Sequence, residues 1–409
     1  VAGLVYSGTA ELDEGPASIA APFTEMANQP KEVTFMNPVA FFEKKYTYSG
    51  VYAFLLINRI QILYYPLILP TYLIHPYMIW GIIGVGLISQ FNLFLLSKWF
   101  SSEHSGLGYK GLVHLFGQGW LRLFAVIGLF LLIMKLSVIT LGYVEILDTF
   151  IFPSMSSIWL TLSLLLVGFY IASYGLEKTI RFIVVVFLCS VWLIIVYIPF
   201  LLPPVAHLYD IYPLFPVDGI DSPWKSLLFI WSAFSGPEYL VCLSPWLKPQ
   251  SRMLKSFTLA NTLSIVEYLI LFISSLFYFG SAYINKISYP ILSMLRYLQY
   301  PVLERIDMFF ITIHMLNFLF FISLFLLMIY GAGRISMGIH LKPTSRMGFI
   351  LCSLALYACM IAAYKWLWRT ESSLNIMIVF EICSSALSYL LVPSLLLIAI
   401  KLKKGRVPS

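Results

Sequence analysis

The chain has 409 residues, of which 60% are hydrophobic and 11% charged, with a mean hydropathy of +0.87. Soluble globular domains carry about 25% charged residues, so this composition excludes a soluble enzyme or binding domain and describes a helical protein that crosses the membrane several times. The net charge of +7, from 26 basic and 19 acidic residues, then belongs to the loops of one membrane face and does not indicate a nucleic-acid site.

Residues 1–35 are rich in Ala, Ser, Pro, Gly and Glu, lack helical periodicity and do not form the pattern of a signal peptide, so a disordered N-terminal extension is expected, with a domain edge near Met36. Residues 36–409 read as a single transmembrane domain. Apolar stretches bounded by Pro, Gly and charge predict ten spans, at roughly 50–70, 77–99, 120–150, 158–173 and 180–202, then 224–243, 257–283, 303–330, 347–368 and 375–400. With the amino terminus in the cytoplasm, seventeen Lys and Arg residues, from Lys44 and Lys45 to Lys404 and Arg406, fall on the inner side. Six fall outside: Lys225, Lys286, Arg296, Arg305, Lys365 and Arg369. That bias supports ten spans with both termini cytoplasmic. Cys189, Cys242, Cys352, Cys359 and Cys383 lie inside apolar runs without C-x-x-C spacing and are expected to be small core residues, not a disulfide framework or a metal site.

Two spans are interrupted. The first carries Asn58-Arg59-Ile60-Gln61 followed by Tyr64-Tyr65-Pro66, and the sixth carries Ser235-Gly236-Pro237-Glu238. Freed backbone groups in hydrocarbon cost several kcal/mol each unless protein or a water-filled cavity satisfies them, so broken spans point to a binding site. Each half also has an amphipathic connection between its second and third spans, at 101–119 and 285–302. The layout predicts a leucine-transporter-like five-plus-five inverted repeat, with repeats at about 48–202 and 223–402.

Several short motifs, in order, resemble the B subunits of bacterial spore germinant receptors, within the amino acid–polyamine–organocation superfamily. They are Gly175-Leu176-Glu177 with Arg181, Gly236-Pro237-Glu238 leading into Leu243-Ser244-Pro245-Trp246-Leu247, and Leu295-Arg296-Tyr297 preceding Leu303-Glu304-Arg305. The family usually has glycine after its Gln-Ile, where this chain has Leu63-Tyr64-Tyr65, and only Tyr143 and Glu145 match its third-span motif. The resemblance implies a transporter-like sensor that recognises a small nutrient and signals germination with a soluble-domain membrane subunit and a lipoprotein, in the spore inner membrane or the cell membrane.

Candidate ligand-binding residues are Asn58, Arg59, Gln61 and Tyr64 of the first span, Lys135 and Tyr143 of the third, Ser235, Gly236, Pro237 and Glu238 of the sixth, and His314 and Asn317 of the eighth. The carbonyls of 232–235, freed by the Gly-Pro break, are placed to hold an ammonium group or a cation at the end of a half-helix. Glu238 is either a ligand contact or a cap on the second half-helix. Arg59 needs a counter-charge, either a ligand carboxylate or one of Glu238 and Glu145. Lys135 pairs, binds substrate or takes part in proton coupling. Asp307, His314 and Asn317 are spaced to share one helical face turned away from lipid, and one histidine without a second ligand makes no metal site. Glu267 and Glu381 are lone acids, structural or ion-translocating. No nucleophile elbow, phosphate loop or catalytic carboxylate pair is present, so neither enzyme activity nor a cofactor is expected. The alternatives to a receptor subunit are a proton- or cation-coupled amino acid transporter and a scaffold that has lost its ligand.

Overall fold

The computed structural model describes residues 41–73, 75–215, 223–248, 253–284, 286–297, 305–368 and 376–404, all within one compact unit. The expected extension at 1–35 lies outside the described residues. Among those described there is no strand, only an isolated bridge between Tyr48 and Leu247.

The first span is α1 (Gly50–Gln61) and α2 (Tyr65–Tyr72), bent by 46° across Ile62–Tyr64. The bend follows from Pro66, which has no N–H to continue the α1 ladder but is tolerated in the first turn of a new helix. The second span is α3 (Met78–Phe100), and the short helices α4 (Glu103–Gly106) and α5 (Tyr109–Phe116) form the first amphipathic connection. The third and fourth spans are α6 (Gln118–Phe150) and α7 (Ser157–Ser173). The fifth is α8 (Leu176–Ser190), which tightens into a 3-10 helix through Leu201 and begins earlier than the apolar pattern predicts.

The sixth span is α9 (Trp224–Ala233) followed by a 3-10 segment, Pro237–Trp246, and Gly236 between them has φ 131°, a conformation that side chains rarely adopt. The seventh span is α10 (Met253–Phe279), followed by the short α11 (Ser281–Ile284), and α12 (Pro290–Tyr297) lies in the second connection. The eighth, ninth and tenth spans are α13 (Ile306–Ser336), α14 (Arg346–Trp366) and α15 (Ile376–Lys404).

Among the described residues eight helices are long and apolar enough to cross a membrane, nine if the bent α1–α2 pair is one span, and α7 is a shorter apolar helix of 17 residues; the spans are numbered in the predicted order. The molecule is an all-helical, multi-span membrane protein. Its core lies around the eighth and sixth spans, 78% and 72% buried over a membrane-length window, whereas the ninth is 17% buried and faces outward. The cysteines correct the sequence reading. By surface area Cys189, Cys242, Cys359 and Cys383 are exposed and Cys352 is half-buried.

The packing has an internal correspondence. The first span packs on the seventh as the sixth packs on the second, and the fifth packs on the seventh as the tenth packs on the second. Likewise the third packs on the tenth as the eighth packs on the fifth, and the first packs on the fifth as the sixth packs on the tenth.

Candidate ligand site and buried charge networks

The backbone groups freed by the two breaks are largely satisfied by protein. Gln61 Nε2 donates to the Phe234 carbonyl at 3.0 Å, and the Tyr268 hydroxyl lies 2.8 Å from the Gln61 carbonyl and 3.2 Å from that of Ala233. The Ser232 carbonyl accepts from Ser235 N–H at 3.0 Å. The expectation that carbonyls of 232–235 stand free for a cation is therefore corrected for Ala233 and Phe234, which the seventh and first spans reach, and for Ser232, which the sixth span's own Ser235 N–H satisfies. Gly236 allows this approach, since a Cβ there would run into the Ile60 side chain. Glu238 acts as a cap, accepting from Gly236 N–H at 2.6 Å and from Ser388 Oγ at 3.3 Å.

Arg59, 3% exposed, is paired with Glu267 of the seventh span at 2.7 Å. Neither Glu238 nor Glu145 is its partner: Glu238 caps the sixth span, and Glu145 accepts from Trp368 Nε1 at 3.2 Å. Asn58 locks the pair by accepting from Arg59 Nε at 2.9 Å while donating to Glu267 Oε2 at 2.8 Å and Ser264 Oγ at 3.0 Å. A charge buried in hydrocarbon is tolerated when it is both paired and hydrogen-bonded, and this one is.

From Arg59 the network continues to Ser190 Oγ at 2.9 Å, from Ser190 to Asn317 Oδ1 at 3.4 Å, from Asn317 to His314 Nδ1 at 3.1 Å, and from His314 Nε2 to the Leu63 carbonyl at 3.0 Å. The last contact satisfies a carbonyl in the first-span break. Arg59, Glu267, Ser190, Asn317 and His314 wall a cavity of about 40 Å³ whose apolar side includes Ile62, Pro66, Leu67, Tyr197 and Phe310. At roughly 10–15 Å³ per water on this measure, it has room for two to four waters.

Lys135, the other buried cation among the candidates, is 2% exposed and lies 3.6 Å from Glu381 of the tenth span. It donates to Ser235 Oγ at 2.7 Å and stands 5.5 Å from the Tyr239 ring centroid. Glu381 is also hydrogen-bonded by Ser385. Lys135, Ser235, Pro237 and Glu238 thus assemble around the sixth-span break, apart from the Arg59 cavity.

Tyr64 and Tyr143 line neither group as open walls. Tyr64 is 2% exposed and its ring lies where a Cβ on Gly142 would be. Tyr143 stacks on Phe318 at 3.6 Å and donates to the Ile311 carbonyl at 2.8 Å. Aromatic bulk fills the space between the first, third and eighth spans. Asp307 is likewise separate from His314 and Asn317, being paired with Arg305 at 2.9 Å and Arg296 at 3.5 Å.

Two of the motifs meet at the start of the first span. Tyr48 N–H donates to the Trp246 carbonyl at 2.7 Å, and Lys248 N–H donates to the Tyr48 carbonyl at 2.8 Å. The Tyr48 hydroxyl donates to the Glu177 carbonyl and accepts from Arg181 Nε, each at 3.1 Å. Burial raises the phenol above its ordinary value of 10.0, with the Arg181 hydrogen bond opposing, so Tyr48 remains a neutral donor.

Sequence reasoning missed Tyr48, Ser190, Tyr197, Ser264, Tyr268, Ser385 and Ser388. The available signal was charge balance: two unpaired cations, Arg59 and Lys135, and two lone acids, Glu267 and Glu381, each within apolar spans.

Paired broken spans, buried ion pairs facing the bundle interior and a small cavity with charged groups in a mostly apolar wall describe a transporter-like membrane protein. A family model described as spore germination protein matches residues 51–365. The chain belongs to that spore germination permease family. No curated protein matches it. Among solved structures it is similar to the manganese transporter of Eremococcus coleocola, crystallised with an aromatic bis-isothiourea substituted compound, at 12% identity, over 86% of this chain and 77% of that one, with a TM-score of 0.44.

Proposed function

We propose that the chain is the membrane subunit of a spore nutrient-germinant receptor, a ten-span inverted repeat with both termini cytoplasmic, which binds a small polar nutrient at the broken first span, against the fifth, seventh and eighth, and signals with partner subunits. The observation that carries this reading is the buried Arg59–Glu267 pair at the wall of the first-span cavity. A zwitterionic amino acid separates such a pair without stranding either charge: its carboxylate replaces Glu267 at Arg59 and its ammonium meets Glu267. The cavity of about 40 Å³ holds only waters, so binding requires the first span to move, and the nutrient biases the bundle toward the moved state. The correspondence of contacts between the two halves supports the inverted repeat. Seating on the spore inner membrane with a soluble-domain subunit and a lipoprotein is part of the same reading.

The test is genetic. Deleting the gene is expected to abolish the germination response to one nutrient and leave responses to others intact. Normal germination to every nutrient, with uptake of one amino acid lost, overturns the receptor reading in favour of a coupled transporter.

A further inference from the structure

The buried charge around Lys135 does not balance. Lys135, Glu238 and Glu381 are 2%, 3% and 0% exposed, one cation against two acids. By contrast Arg59 and Glu267 balance one to one, and the arginines that serve Asp307 are about half exposed. A net charge of −1 held in hydrocarbon is costly enough that it is neutralised by a proton or a small cation. A metal cation is disfavoured here, because the Lys135 ammonium already occupies the position between the oxygens of Ser235 and Glu381 and would repel it.

The hydrogen bonds distinguish the two acids. Both oxygens of Glu238 are occupied, by Gly236 N–H and Ser388 Oγ. Glu381 uses Oε1 for Lys135 and Ser385, while its buried Oε2 has no hydrogen-bond partner. A bare carboxylate oxygen in this setting is costlier than a neutral hydroxyl. Among the described residues the other titratable groups near the cluster are Tyr239, beside Lys135, Cys242, beside Tyr239, and Tyr389, near Glu238. On the tenth span itself Tyr389 hydrogen-bonds Ser89 of the second span, and the second and sixth spans otherwise bring Asn92 and Trp231, which do not titrate.

We propose that the Lys135–Glu238–Glu381 cluster is a proton-binding site that holds one proton on Glu381 at neutral pH. Lys135 is then balanced by Glu238, and the cluster is neutral. Loss of the proton to solvent leaves two carboxylates competing for one ammonium, and Glu238 is the group that caps Gly236. Proton occupancy is thereby linked to the sixth-span break. The site lies apart from the Arg59 cavity and stands independently of the nutrient reading.

Infrared spectroscopy of the purified full chain in lipid tests this through the carboxylic-acid C=O stretch at neutral pH. Glu381→Gln is expected to lose a band that the unmodified chain shows, Glu238→Gln to lose it too because Glu381 then ionises against Lys135, and Lys135→Met to gain intensity because both acids become neutral. Absence of the band from the unmodified chain, or its persistence in Glu381→Gln, overturns the proposal. Should Glu381→Gln yield no folded protein, Lys135→Met decides: a stronger band supports the site and an unchanged one overturns it.

Discussion

Arg59 and Glu267 lie 2.7 Å apart across the first and seventh spans, and Asn58 holds both. Neighbours in sequence thus supply a cation and the amide that fixes its counter-ion.

Removing one member of this pair strands the other. Arg59→Met and Glu267→Gln are each expected to lower stability, Arg59→Met by about 3–5 kcal/mol because it leaves a buried carboxylate unpaired. The double variant Arg59→Met/Glu267→Leu is expected to recover most of that loss while abolishing the nutrient response. Thermal unfolding of the detergent-solubilised chain, with spore germination in parallel, checks both; a double variant no more stable than the singles contradicts the expectation.

Gly236 has φ 131° and its missing Cβ makes room for Ile60. Gly236→Ala is expected to cost about 1–3 kcal/mol from backbone strain alone. In an Ile60→Ala background the steric contact is gone, so Gly236→Ala is expected to cost less than in the unmodified chain but still the backbone strain. A Gly236→Ala cost of zero in that background, read from the midpoint of unfolding, would mean that φ at 236 is unimportant.

Tyr64 fills the centre of the bundle against Gly142. Tyr64→Ala is expected to destabilise by about 3–5 kcal/mol, as for other large aromatic truncations in a core. It also opens space beside the first-span break, so spores carrying it are expected to respond to bulkier nutrients. A destabilised variant with an unchanged nutrient profile would separate the tyrosine from selectivity.

The Tyr48 hydroxyl joins the start of the first span to Glu177 and Arg181. Tyr48→Phe is expected to cost about 0.5–1.5 kcal/mol, leaving the backbone bridge to Leu247 in place. The folded-state value of this phenol lies above 10.0. Its contribution is therefore fully present below that pH and is lost as pH rises through the raised value. Unfolding midpoints of the two proteins are expected to converge in strong alkali; a constant gap would exclude the phenol as the source.

Both breaks were legible because glycine and proline interrupt helices by local sterics, and Gly236-Pro237 and Pro66 act through their own backbones. The membrane class followed in the same way, since apolar runs of sufficient length leave helices as the available spanning structure. Charge pairing was less legible. Arg59 and Lys135 had to find counter-charges, but Glu145, Glu238, Glu267 and Glu381 were all available, and Asp307 had the spacing to join His314 without doing so.

Local chemistry therefore established where the chain enters hydrocarbon, where its helices break and that two buried cations need partners. The identity of those partners, the closure of the sixth-span carbonyls by Gln61 and Tyr268, and the filling of the centre by Tyr64 and Tyr143 arose from packing between residues far apart in sequence. The physical reason is range: backbone sterics and hydropathy act within a few residues, whereas the counter-ion of a buried charge is selected by which helix faces meet.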